Sequence, residues 1–509
     1  MAARVISMGL YGMDAFVIEV ECDIGRSLPS FDLVGLPDAA VKESRERVRA
    51  SLKNCGFDYP TGRITVNLAP ADIRKEGPLY DLPVLMALLS ASGQLNCNLN
   101  GSAFLGELSL FGEVRPVNGV LPMCLKAQQA GIQKVYVPAQ NAPEGAVVQG
   151  LQVYPVTCLS ALMEHLSGRA PIVPASPPPP QSDPFFQPDF SQVKGQPQAK
   201  RALEIAAAGG HNILLIGSPG SGKSMLAKRI PSILPDMTFA EMIETTKIYS
   251  IAGALPQGVS LIRRRPFRAP HHTVSAVGLS GGGAVPKPGE LSLAHNGVLF
   301  LDELPEFSRT AMEVLRQPME DGVVTISRAS GTLTYPCSVM LAAAMNPCPC
   351  GYFGHPTRPC TCSASSVSRY LSRVSGPLLD RLDLHIEVPP VKFDQLSAAG
   401  NEEPSGAVLQ RVNQARALQN ARYENTFITC NAKIIPGLLE KSCPMTDRAL
   451  GLLKLSFEKL GLSARAYDRI LKVARTIADL DGEETIQSAH MAEAVQYRSL
   501  DRKYWTKEL

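Results

Sequence analysis

The run Asn212-Ile-Leu-Leu-Ile216 leads into Gly217-Ser-Pro-Gly-Ser-Gly-Lys223-Ser224, the spacing GxxxxGK[ST] set between a strand pattern and a helix pattern. Such a loop binds phosphate. Gly217, Ser218, Pro219, Gly220, Ser221 and Gly222 offer backbone N–H groups that curl round phosphates, Lys223 offsets the β and γ charge, and Ser224 presents a hydroxyl to Mg²⁺. Downstream, Gly297-Val-Leu-Phe-Leu301-Asp302-Glu303 is an apolar strand that ends in two acids. Asp302 is expected to complete the Mg²⁺ shell, and Glu303 to act as general base on the attacking water. The pair of motifs predicts ATP hydrolysis.

A second cluster of reactive groups lies further on. Cys348-Pro-Cys350 and Cys360-Thr-Cys362 bracket a proline- and glycine-rich gap. Four thiolates there suit one tetrahedral Zn²⁺ with a closed shell, although the C-x-C spacing is tighter than the usual two-residue separation. Free or redox-active thiols fit the same residues, and so does a site in which His355 replaces one cysteine.

These groups need elements to hold them. The short apolar runs 213–216, 298–301, 339–344 and 384–388 sit between turn or helix signals and suit a parallel sheet covered on both faces. Before them, 63–68 and 134–137 alternate as strands, while 38–52 and 82–91 carry helical spacing. After about residue 405 the pattern turns helical, over 407–423, 447–460, 464–480 and 488–499. Six of the ten residues 171–180 are proline, which reads as a semi-rigid linker. The expected α/β chain therefore has an α+β domain at 1–170, a linker at 171–188, an ATPase domain at 189–395 with the cysteine cluster, and a helical lid at 396–509.

Composition bounds the partners. With 509 residues, 45% hydrophobic and 19% charged, the chain is an ordinary globular protein of about three domains, neither disordered nor a coiled coil. A net charge of +3 makes any nucleic-acid contact local. Residues 1–10 carry no export signal, and the longest apolar stretch, 82–91, is too short for a bilayer. Twelve cysteines without an oxidising address point to the cytoplasm, with no membrane partner.

Further stretches carry a resemblance. Gly195-Gln196, Asn346 after the strand 339–344, and Leu378-Leu-Asp-Arg381-Leu-Asp383 resemble AAA+ ATPases. Phe267-Arg-Ala-Pro-His-His272, Gly289-Glu-Leu-Ser-Leu-Ala-His295-Asn296 and Met319-Glu-Asp-Gly322 are similar to the magnesium-chelatase-like branch, and the whole chain resembles the bacterial ComM/YifB family. That resemblance implies a hexameric ring that self-associates and works as an ATP-driven DNA helicase, promoting branch migration in recombination and natural transformation. It also implies that Asn346 orients the water, that Arg381 is an arginine finger reaching a neighbouring subunit, and that Arg465 is the second sensor, with Arg469 as rival.

Residues 263–289 are rich in glycine and proline without a regular pattern, and in the resembling family this region is an insertion aimed at the ring's pore. Arg268, His271 and His272 are its candidate contacts to single-stranded or branched DNA. Two alternating runs about Ser330-Gly331 predict a hairpin with Arg328 near its tip, a contact or an exposed arginine without a partner.

Ser30-Phe-Asp-Leu-Val-Gly-Leu-Pro37, Arg74-Lys-Glu-Gly-Pro-Leu79-Tyr-Asp81 and the motifs at 105–116 are similar to the proteolytic domain of Lon-type proteases, a fold shared with RadA. Leu79 and Leu121 stand where the resemblance puts the serine and lysine of the dyad, so peptidase chemistry is not expected. A competing reading of the whole chain is a magnesium-chelatase-like ATPase subunit that remodels a partner protein. A nucleotide-gated scaffold is a third.

Overall fold

The computed structural model describes residues 2–177, 188–256, 258–283, 286–328, 331–391, 393–397 and 402–505. They form two compact units, where the sequence pattern suggests three domains and a linker. Residues 178–187, the middle of that linker, lie outside the described residues. The first unit takes Met1–Asp183 together with two later excursions of the chain, Phe239–Arg263 and Ser327–Tyr335. The second takes Pro184–Thr238, Arg264–Ile326 and Pro336–Leu509.

A mixed seven-stranded sheet underlies the first unit, in the order Ser30–Val34, Arg63–Ala69, Asp14–Gly25, Ala2–Tyr11, Ser102–Phe104, Lys134–Pro138, Gln152–Val156. Arg63–Ala69 alternates buried and more open residues, the period of two that a strand with one covered face requires. Helix Asp81–Ala91 is buried at every position but Ser90, which explains why its run is apolar all round and yet too short to span a membrane. Leu79 and Leu121 both pack into the hydrophobic core. Helix Phe239–Ala252, from the middle of the chain, completes this unit. Its Ser250 hydroxyl donates to the buried Glu144 carboxylate at 2.6 Å, and the Gly119 N–H donates to the Ser250 carbonyl at 3.1 Å.

In the second unit five parallel strands run in the order Phe267–Arg268, Val298–Leu301, Met340–Met345, Ile213–Ile216, Leu384–Glu387. Three of them, Ile213–Ile216, Val298–Leu301 and Met340–Met345, are buried along their whole length, as a sheet covered on both faces demands. Because neighbouring strands are parallel, their C-terminal ends fall on one edge, where residues 217, 302 and 346 begin. Helices Ser405–Arg422, Asp447–Leu460, Ala464–Leu480 and Ser488–Gln496 match the predicted periodic stretches, and Pro436–Ser442 and Leu500–Trp505 add to them. Val412, Ile470 and Ile477 of these helices share one core with Ile213 and Leu384 of the sheet. Among the described residues no helix is long and apolar enough to cross a membrane.

A buried ion cluster ties helix Ala464–Leu480 to the sheet. Asp383 pairs with Arg469, accepts the Asn212 N–H at 2.9 Å, and lies 3.6 Å from His211 Nδ1. Burial works to raise this carboxyl's pKa, but the Arg469 guanidinium, His211 and the Asn212 N–H outweigh it and hold Asp383 well below the usual carboxylate range. Arg469→Ala leaves that charge buried without its partner and is expected to cost about 3–5 kcal/mol, read from the midpoint of urea unfolding. A depressed carboxylate stabilises at neutral pH and loses its contribution as the pH falls below about 4. The gap between wild type and variant should therefore narrow on acidification, and a gap that stayed constant below pH 4 would contradict the assignment.

Candidate active site

Three adjacent strand ends build the site. The loop 217–224 leaves strand Ile213–Ile216 and enters helix Lys223–Ala227, with φ at +76° for Gly220 and +94° for Gly222, where a side chain would be strained. A Cβ on Gly217 would stand 2.4 Å from the Val388 carbonyl oxygen. The Lys223 ammonium donates to the Gly217 and Ser218 carbonyls at 2.7 and 2.9 Å and to Asn346 Oδ1 at 3.2 Å. Burial lowers its pKa, while Asp302 and Glu303 pull the other way. Ser224 Oγ donates to Asp302 Oδ2 at 2.6 Å, an oxygen pair of the kind Mg²⁺ selects. The buried Ser221 hydroxyl has no hydrogen-bond partner among the described residues, so it can meet a phosphate oxygen.

Glu303 follows Asp302 with φ at +53°, a conformation a glutamate seldom adopts, and its N–H donates to Asp302 Oδ1 at 3.0 Å. Its carboxylate is exposed, and His272 Nδ1 lies 3.6 Å from it. The His271 ring sits against His272, with centroids 4.0 Å apart.

The candidate DNA contacts Arg268, His271 and His272 stand beside the acidic strand end. Phe267–Arg268 is a strand of the sheet, paired with Val298 and Leu299, and so it carries the following loop toward Asp302-Glu303. Arg268 is held by both oxygens of Glu290, each at 2.7 Å. Arg328 ends strand Val323–Arg328 of the expected hairpin with Gly331–Pro336, and its side chain lies outside the described residues.

Arg381 and Arg465 border another cleft, shared with Glu320, Lys433, Arg469 and Lys472, and among the described residues no phosphate-loop residue lines it. Arg381 is 9% exposed, with Nη2 2.6 Å from Glu320 Oε1 and Nη1 donating to the Pro377 carbonyl at 2.6 Å. Arg465 is exposed, whereas Arg469 is engaged by Asp383. The structure thus brings Lys223, Ser224, Asp302, Glu303 and Asn346 together and leaves Arg381 and Arg465 apart from them. Sequence reasoning missed the pairing of Glu320 with Arg381 and the approach of His272 to Glu303, since each joins residues remote in sequence.

The Sγ atoms of Cys348, Cys350, Cys360 and Cys362 all lie within 4.8 Å of one another. Separations of 3.3 Å for Cys348 to Cys350, 3.7 Å for Cys348 to Cys360 and 3.6 Å for Cys350 to Cys360 compare with about 3.8 Å, the edge of a tetrahedron with metal–sulfur bonds of about 2.3 Å. The donor set fits zinc. His355 is otherwise occupied, its Nδ1 accepting the N–H groups of Thr357 and Arg358 at 3.2 and 3.0 Å.

Comparison with known proteins agrees with this geometry. Residues 189–396 match the model for magnesium chelatase, subunit ChlI, residues 402–498 match the model for its C-terminal part, and residues 20–141 match a further ChlI model. Competence protein ComM of Haemophilus influenzae is 44% identical over 507 residues, covering 98% of each chain. Protein YifB of Escherichia coli is 44% identical over 496 residues, 96% of each chain. A Lon protease of Mycolicibacterium smegmatis is 29% identical over 163 residues, 30% of this chain and 20% of its own. The parallel sheet with its phosphate loop and acidic strand end, the Lon-like N-terminal segment and the full-length matches agree: the chain belongs to the ComM/YifB family of magnesium-chelatase-like AAA+ ATPases.

Proposed function

We propose that the chain assembles into a ring, a hexamer, and spends ATP on moving DNA strands, as a helicase that promotes branch migration in recombination and natural transformation. The observation that carries this reading is the separation of Arg381 and Arg465 from the hydrolytic residues of their own chain. A second copy presenting its Arg381 would complete the site, so turnover depends on assembly. Within the site Lys223 neutralises phosphate charge, Asn346 orients the water, and Glu303 takes its proton. Ser224 and Asp302 would hold Mg²⁺, which would supply positive charge beside the phosphates.

The relative named for competence supports DNA as the substrate, and the hairpin that carries Arg328 is the proposed contact. Zinc at the four cysteines is a structural centre, and the absence of disulfides among the described cysteines suits a reducing cytoplasm. The first unit, with leucines at both dyad places, is a platform for the ring or for DNA. The test is the ATPase rate of the full-length protein with and without single-stranded, duplex and four-way-junction DNA. DNA is expected to stimulate turnover several-fold. A rate indifferent to all three would sink the motor reading in favour of an ATPase that remodels a protein partner.

A further inference from the structure

Between Asn346 and helix Ala364–Leu371 the chain has no regular element, and residues 351–359 hang between the two cysteine pairs. Residues 354 and 356–359 of this loop are exposed, while Gly351 is buried and Tyr352, Phe353 and His355 are half-buried. A cavity of about 450 Å³ opens beside the phosphate loop, bordered by residues 218–222 on one side, by Gln196 and Val391 on another, and by Tyr352, His355 and Arg358 of the cysteine loop. Gly351, at φ +82°, comes so close to the phosphate loop that a Cβ there would lie 2.4 Å from Pro219 Cδ. The loop and the phosphate cradle are in direct contact.

The side chains on the cavity face are organised. The Arg358 guanidinium lies over the Tyr352 ring, 4.7 Å from its centroid, and its Nη1 donates to the Tyr352 hydroxyl at 2.7 Å. His355 Nδ1 accepts two backbone N–H groups and so fixes the turn that delivers Arg358. At the root of the loop the Phe353 N–H donates to Cys348 Sγ at 3.3 Å and the Gly351 N–H to the Cys348 carbonyl at 3.0 Å. The four sulfurs stand together at the two ends of the loop. A metal joining them would fix it, and reduced thiols without metal would release it.

We propose that the cysteine loop is the wall of the pocket for the base and ribose of ATP, with the Tyr352–Arg358 pair contacting the nucleoside, and that zinc bound by the four cysteines holds this wall in place, so that nucleotide affinity follows zinc occupancy. The phosphates are held by the loop 217–224, and a nucleoside extending from them enters the cavity that Tyr352 and Arg358 border. A guanidinium plane presents a flat, charged face on which a purine stacks. The inference rests on the phosphate site and the tetrathiolate centre proposed above.

Three ligands separate the parts: ATP, ADP and inorganic tripolyphosphate, each titrated with Mg²⁺ into full-length protein. Protein purified without added zinc should hold about one zinc per chain. Arg358→Ala should keep its zinc and bind ATP and ADP about tenfold more weakly, while its affinity for tripolyphosphate is unchanged. Cys360→Ser with Cys362→Ser should lose the zinc and weaken both nucleotides in the same way. Wild type stripped by a zinc chelator and returned to Mg²⁺ buffer covers the case in which that variant misfolds, because added zinc should restore its nucleotide affinity. Equal ATP affinity with and without zinc, or unchanged ATP affinity in Arg358→Ala, would overturn the proposal. Less than a tenth of an equivalent of zinc would do the same. Failure of the underlying phosphate-site reading looks different, since Lys223→Ala would then bind tripolyphosphate as wild type does.

Discussion

Arg381→Ala is expected to lower ATP turnover by about 10³-fold and to leave nucleotide affinity nearly intact. A cation that meets charge only as it develops in the transition state contributes to turnover and hardly at all to ground-state binding. In the single chain Arg381 is nearly buried and paired with Glu320, in a cleft that no phosphate-loop residue borders among those described. If the residue served only that pair, its loss would cost some stability and spare the chemistry. Mixing decides between the two. Arg381→Ala subunits keep a whole phosphate site and Lys223→Ala subunits keep a whole finger, so rings containing both should regain ATPase at interfaces where the intact halves meet. Mixed rings, verified by tagged pull-down, that stay inactive would remove the finger and leave an ion pair.

Glu303→Gln should bind ATP and fail to turn it over, with a rate lower by about 10²-fold or more. Glutamine keeps the size of the side chain and cannot accept a proton. The backbone at Glu303 is in the left-handed region, and its N–H is bonded to Asp302, so the side chain leaves the strand end in a fixed direction that glutamine can share. Phosphate release under single-turnover conditions, measured beside retention of labelled ATP, separates lost chemistry from lost binding. Release at the wild-type rate would end the assignment of Glu303 as base.

Most of the ATP site could be read from the sequence because its parts are short and local. A buried parallel strand is a run of apolar residues, and the residues that follow it stand on the functional edge, as Gly217, Asp302 and Asn346 do. What escaped depends on partners remote in sequence. Strand Phe267–Arg268 has two residues and therefore no period, which is why the segment after it read as an open loop. Arg268 finds its carboxylate at Glu290, and nothing near Arg268 announces that pairing. Helix Phe239–Ala252 carries no mark that it belongs with the first unit, since its partners Gly119 and the buried Glu144 lie over a hundred residues earlier. The cysteine loop was half legible: its start two residues after Asn346 places it at the nucleotide end of the sheet, but only folding shows Gly351 against Pro219.

The excursions Phe239–Arg263 and Ser327–Tyr335 have a consequence for how the chain is made. A ribosome delivers residues in order, and the first unit's opening segment is complete at Asp183, about 150 residues before its last piece at Tyr335 arrives. At ~5–20 residues per second this interval lasts roughly ten to thirty seconds. Throughout its early part helix Val120–Gln129 and the Glu144 carboxyl wait without the helix that brings Ser250, their polar partner in the finished fold. The nascent N-terminal segment is thus exposed to chaperones in a form that differs from its final one, and its maturation is timed by synthesis of the ATPase segments that follow it.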